Sequence, residues 1–180
     1  MTALPYDDEP QLLMLHEVPS ARQMTEAQRF GACCLWCDTP AVGVEGGLEP
    51  LTDGRFDAYW RPGTCRPCRD LRLDHLRSHV ECRLHTDSCE DCVSGICPAA
   101  VPLILAHALA RQKAGKSPEV TCAHCHRSAP LVDLAMIPTL WDGNSTVHRG
   151  YVHSTPCPSA VPLRVRVAAH LLGRRPGDVS

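Results

Sequence analysis

Cys34-Leu35-Trp36-Cys37 and, after 27 intervening residues, Cys65-Arg66-Pro67-Cys68 form the stretch on which the fold of this chain turns. A Cys-x-x-Cys turn aims two sulfurs at one point. Two such turns supply the four ligands that zinc takes in a closed, tetrahedral structural site. Two more turns follow, Cys89-Glu90-Asp91-Cys92 and Cys122-Ala123-His124-Cys125. Around the first of these, Cys89, Cys92 and Cys97 belong to every sensible set, and His85 is preferred to Cys82 as the fourth donor. The second is again followed by 27 residues before its next ligand, His153, with Cys157 completing the set and His148 as the alternative to His153. The equal spans predict a duplicated architecture. Three structural zinc ions are the expected cofactors, and Cys33 and the loser of the Cys82/His85 pair are read as small buried residues.

Outward from these motifs, composition points the same way. The 180 residues include 12 Cys but only three Trp, three Tyr and two Phe, too little aromatic bulk for a large conventional core. Small units that bury little apolar surface need a staple, and the cysteines are the candidates. The acidic opening Met1–Pro10 has no basic region followed by an apolar run, so it does not read as a secretory signal. A reducing, cytoplasmic setting is therefore expected, in which paired Cys-x-x-Cys turns favour metal over disulfides. The longest apolar stretch, Ala99 to Ala110, is too short to span a bilayer.

The expected fold class is small α+β and zinc-stabilised, with three tandem packed modules, each ending in a helix. Residues 1–32 read as an acidic appendage whose Ser20 and Gln23 form a capping box for a short helix through Phe30, closed by Gly31. Its Leu12–Leu15 cluster is expected to dock on the body of the same chain. Module one, 33–84, has strand formers Phe56, Tyr59 and Trp60, then a helix with Leu73, Leu76, Val80 and Leu84 on one face. Module two, 85–116, ends in a helix to about Ala114 with Gly115 as its stop. Module three, 117–180, turns at Asp142-Gly143-Asn144 and ends in a helix striped by Leu163, Val167 and Leu171. Cys97-Pro-Ala-Ala-Val-Pro-Leu103 is echoed by Cys157-Pro-Ser-Ala-Val-Pro-Leu163, with one difference in seven positions. In both, a thiolate would sit at the free N–H groups of a helix start.

A Cys-x-x-Cys knuckle, a hairpin-like stretch and a second ligand pair at a helix start resemble the treble-clef and zinc-ribbon class of zinc fingers, over 34–84 and 122–172. Separately, His85-Thr-Asp-Ser-Cys89-Glu-Asp-Cys92 is similar to the His-x-x-x-Cys-x-x-Cys motif of zinc-binding anti-sigma factors, some of which sense thiol oxidation. Those families draw a ligand from far upstream, whereas Cys97 lies five residues downstream.

The treble-clef resemblance implies nucleic-acid binding, for which Arg66, Arg69, Arg72, Arg77 and Arg83 on the first long helix are the candidate contacts. Arg164, Arg166, Arg174 and Arg175 add to the last helix. Charge speaks against a broad basic footprint. Ten ligating thiolates on three Zn2+ would take the formal net charge of −2 to about −6. The competing expectation is a regulator that contacts a transcription protein. An enzyme comes third: His75, His79 and Asp74 are the residues a metal-dependent nuclease would use, and the four-ligand sets leave no open position for catalysis. No catalytic residues, membrane role or small-molecule substrate are expected.

Overall fold

Thr25 and Gln28 begin a short α-helix as a reciprocal cap: the Gln28 N–H donates to the Thr25 hydroxyl and the Thr25 N–H to Gln28 Oε1. That helix, α1, covers Glu26–Arg29 only. The Ser20–Gln23 box predicted to start a longer helix instead closes a single 3-10 turn, Ala21–Gln23. Two short capped turns thus replace one helix, because each cap redirects the backbone within four residues. Gly31 follows at φ +70°, and a Cβ there would lie 2.4 Å from the Arg61 carbonyl oxygen, so only glycine fits the approach.

The computed structural model describes residues 13, 16–40, 48–50, 61–142, 147–155 and 157. Within them the fold is small α+β: α1, two longer helices, α2 (Arg66–Ser88) and α3 (Ala100–Lys113), and three two-stranded antiparallel ribbons. The ribbons pair β1 (Glu49–Pro50) with β2 (Gly63–Thr64), β3 (Glu119–Thr121) with β4 (Ser128–Pro130), and β5 (Met136–Asp142) with β6 (Val147–His153). No helix among the described residues is long and apolar enough to cross a membrane. Phe56, Tyr59, Trp60, the Gly143-Asn144 turn, the Pro158–Leu163 part of the echo and the predicted C-terminal helix lie outside the described residues.

Contacts divide the chain into two units, Met1–Glu81 with Leu109–Lys116, and Cys82–Ala108 with Ser117–Ser180. In the first, Leu13, Met24, Leu35, Leu73 and Leu76 form the core, with Val18 and Trp36 packed on it. Leu13 is fully buried, so this part of the N-terminal apolar cluster docks in cis. Glu17 is buried beside it. Its carboxylate accepts from Arg72 at 3.1 Å and from Lys116 at 2.8 Å, and lies 3.1 Å from His75 Nδ1. In the second unit, Ala100, Ile104, Val120, Leu131, Met136 and Tyr151 pack with Cys82, Cys97, Cys122 and Cys157.

On α2 the buried stripe departs from the one predicted. It runs Leu73, Leu76, His79, Cys82, Thr86, while Leu84 is exposed. Spacings of three and four residues carry a stripe around a helix whatever the side chains, so polar His79 and Thr86 occupy places that apolarity alone assigned to Val80 and Leu84.

The predicted duplication is present in backbone detail. Adding 88 to the residue numbers carries the bridge Cys33–Pro40 onto the pair Thr121–Ser128, and Glu49–Thr64 and Pro50–Gly63 onto Ile137–Val152 and Pro138–Tyr151. Cys34–Gly63 and Cys122–Tyr151 are equivalent parallel bridges. The hydrogen bonds coincide as well: Cys34 N–H to Thr39 O matches Cys122 N–H to Arg127 O, and Leu35 N–H to Gly63 O matches Ala123 N–H to Tyr151 O. Asp38 and His126, at the same place in each turn, both adopt left-handed backbone. Each knuckle is therefore pinned to the second strand of the ribbon that follows it.

Candidate metal centres

Among the described residues, three four-donor sets come together. They are Cys34, Cys37, Cys65, Cys68; His85, Cys89, Cys92, Cys97; and Cys122, Cys125, His153, Cys157, with ligand atoms in each within 4.8 Å of one another. In site one, the knuckle brings Cys34 and Cys37, β2 leads into Cys65, and the first turn of α2 presents Cys68. In site two, the last turn of α2 carries His85, a 3-10 turn at Glu90–Val93 carries Cys92, and Cys97 stands just ahead of α3. In site three, the second knuckle supplies Cys122 and Cys125, β6 ends on His153, and Cys157 follows.

The spacing of donors suits zinc. With Zn–S near 2.3 Å, a tetrahedron has sulfur–sulfur edges of about 3.8 Å. Cys37 and Cys65 Sγ are 3.7 Å apart, and Cys89 and Cys97 Sγ 3.8 Å. A disulfide would need about 2.05 Å. The imidazoles close in comparably, His85 Nε2 at 3.2 Å from Cys97 Sγ and His153 Nε2 at 3.1 Å from Cys125 Sγ. Backbone N–H groups also point at sulfur, from Cys65 to Cys34 and from His124 to Cys122, each at 3.4 Å.

Ionisation inside each set is divided. Thr39, with its hydroxyl 3.0 Å from the Cys37 sulfur, holds that thiol down to about 6, while burial drives its partners Cys65 and Cys68 upward. In site two, His85 holds Cys97 down to about 6, and burial lifts Cys92 to about 11. Like charges this close cannot all ionise unaided, and a bound divalent cation removes that conflict. The residues present therefore fit a metal such as zinc.

Of the competing donors, His85 and His153 lie in the sets and Cys82 does not, while the side chain of His148 lies outside what the structure describes. Cys82 is wholly buried in the core of the second unit, where desolvation raises its thiol to about 12. Cys33 is buried in the bridge to Pro40. Asp74, His75 and His79 join no donor set among the described residues: His75 and His79 are buried, His75 against Glu17, and Asp74 faces solvent.

The arginines of α2 divide in a way that sequence does not reveal. Arg72 binds Glu17 and lies over the Trp36 ring at 5.3 Å. Arg77 and Arg83 pair with Asp74 and Asp87 on the same helix, at 3.7 and 2.7 Å. Arg66 is exposed and Arg69 half-buried. Two groups escaped the sequence reading. Glu17 gave no signal, since its partners are distant in sequence. Tyr151, whose hydroxyl meets His107 at 2.9 Å, was marked only by its place two residues before His153.

Comparison with known proteins gives no match to a protein-family model, to a curated protein or to a solved structure.

Proposed function

We propose that this chain is a zinc-scaffolded binding factor whose three metal sites are structural and whose partner is a protein. The observation that carries it is closure of the sets: each gathers four side-chain donors, so an ion held by all four keeps no position for water or substrate. Zinc bound there would supply folding free energy to ribbons and turns too short to be stable alone.

The preference for a protein partner over nucleic acid comes from α2 and α3. Arg72, Arg77 and Arg83 already have carboxylate partners, and the exposed Arg66 stands at the start of α2 beside site one, a narrow basic footprint. By contrast α3 turns Pro102, Leu105, Ala106 and Leu109 outward, a stripe without charge at positions i, i+3, i+4 and i+7. A transcription protein as that partner follows from the likeness of His85–Cys92 to the anti-sigma motif.

Native mass spectrometry of the reduced chain tests the first half, with three zinc ions expected and zero or one ion in folded protein refuting it. Fluorescence anisotropy with labelled duplex DNA and with RNA tests the second. Weak binding is expected at physiological salt. Tight binding that falls steeply with salt and is lost in Arg66→Ala/Arg69→Ala would transfer the function to nucleic acid.

A further inference from the structure

We infer that sites two and three form one cooperative zinc-loading unit, coupled through His107 and Tyr151, and that site one loads by itself. The inference rests on the zinc reading above and adds a regulation to it: metal supply would switch the second unit between empty and doubly filled.

The sites share a core. Cys97 of site two and Cys122 and Cys157 of site three are buried in one cluster with Ile104, Val120, Met136 and Tyr151, and Cys89, Cys92 and Cys125 pack against its edge. Ordering either set orders the same apolar contacts. The first ion therefore meets the cost of assembling a core that the second then finds in place.

A specific route runs through that core. The Ala100 N–H bonds the Cys97 carbonyl at 3.0 Å, so α3 starts directly from a ligand of site two. Two turns along, fully buried His107 shares a hydrogen bond of 2.9 Å with the Tyr151 hydroxyl, and the two rings stack with centroids 5.9 Å apart. Tyr151 in turn accepts the N–H of Ala123, inside the site-three knuckle, at 2.8 Å, and stands two residues before His153. Loss of site two loosens the start of α3, and with it the residue that positions both arms of site three. Site one instead stands on Leu13, Met24, Leu35, Leu73 and Leu76, none of which belongs to that core.

The test is an equilibrium titration of the full chain in chelator-buffered zinc. Ion number is read by native mass spectrometry, and occupancy of each site by alkylation of its cysteines. In wild type, the six cysteines of sites two and three should become protected together, with those of site one following their own curve. Cys89→Ser should weaken site three, and Cys125→Ser site two, by the same factor, since coupling is reciprocal; about 5- to 150-fold is typical of such coupling. Site one should stay within about twofold. Tyr151→Phe keeps the ring and the carbonyl, and should separate the two joined curves.

Fewer than three ions in saturated wild type would refute the zinc reading itself. Three ions filling on three unrelated curves would overturn only the coupling. Joined curves that Tyr151→Phe leaves joined would remove His107 and Tyr151 as its route.

Discussion

Replacing Glu17 by Gln tests whether the N-terminal segment is held by one buried carboxylate. Gln preserves size and can still accept a hydrogen bond, but removes the charge that Arg72, Lys116 and His75 surround at 3.1, 2.8 and 3.1 Å. Removing one partner of a buried ion pair costs about 3–5 kcal/mol, mostly because the other charge is left uncompensated. Arg72 and Lys116 keep 17% and 22% side-chain exposure, so water recovers part of their solvation and the low end, about 3 kcal/mol, is expected. For a unit of this size, each kcal/mol moves the melting temperature by about 4–8 °C, which gives a fall of roughly 12–24 °C. Calorimetry at saturating zinc should show that fall in one transition, with zinc stoichiometry unchanged. A melt within about 0.5 kcal/mol of wild type, the range of ordinary surface substitutions, would refute Glu17 as the clasp.

Gly31→Ala and Gly115→Ala form a matched pair, both at left-handed φ near +70°, but only the first meets backbone at 2.4 Å. Gly115→Ala should cost about 1–2 kcal/mol in denaturant titrations, from the conformation alone, and Gly31→Ala distinctly more. His85→Ala should remove one zinc ion by native mass spectrometry, whereas Cys82→Ala should retain all three and cost about 1 kcal/mol as a small cavity. Acid should strip the metal. Cys37 and Cys97 are held near 6, below the ordinary thiol value of 9, so their ionised forms contribute stability fully above pH 9, and that contribution is lost as pH falls through about 6. Zinc release followed with a chromogenic chelator should therefore steepen below about pH 6, and a flat profile to pH 4 would contradict the thiolate assignment.

Ligand sets were legible because metal coordination is written in short spacings: Cys-x-x-Cys fixes a turn, and the two 27-residue spans pair one turn with another. The choice of His85 over Cys82 was legible only as a preference. It is decided by position along α2: Cys82 lies one turn earlier, buried in the core, whereas His85 stands in the last turn before Ser88, beside Cys97. The Glu17 clasp was not legible at all, since Arg72 and His75 lie 55 and 58 residues away and nothing local marks a carboxylate for burial. Arg72 was misleading for the same reason, its sequence neighbours being those of a basic helix while its partner is in the N-terminal segment. The joining of sites two and three in one core was hidden as well, because the seven-residue echo at Cys97 and Cys157 reads in sequence as a repeat of helix starts, whereas the backbone repeat pairs the knuckles at Cys34 and Cys122.

That backbone repeat has a consequence for how such a chain can diversify. Leu35-Trp36 in one knuckle and Ala123-His124 in the other occupy the same trace, and Cys65 is replaced by His153 at the same register. Main-chain bonds and ligand anchors hold the loop at both ends, so its side chains are spared from specifying the path. The segment behaves as a cassette: one backbone path carries either Leu35-Trp36, packed on the core of the first unit, or Ala123-His124, and either a four-cysteine donor set or one of three cysteines and a histidine.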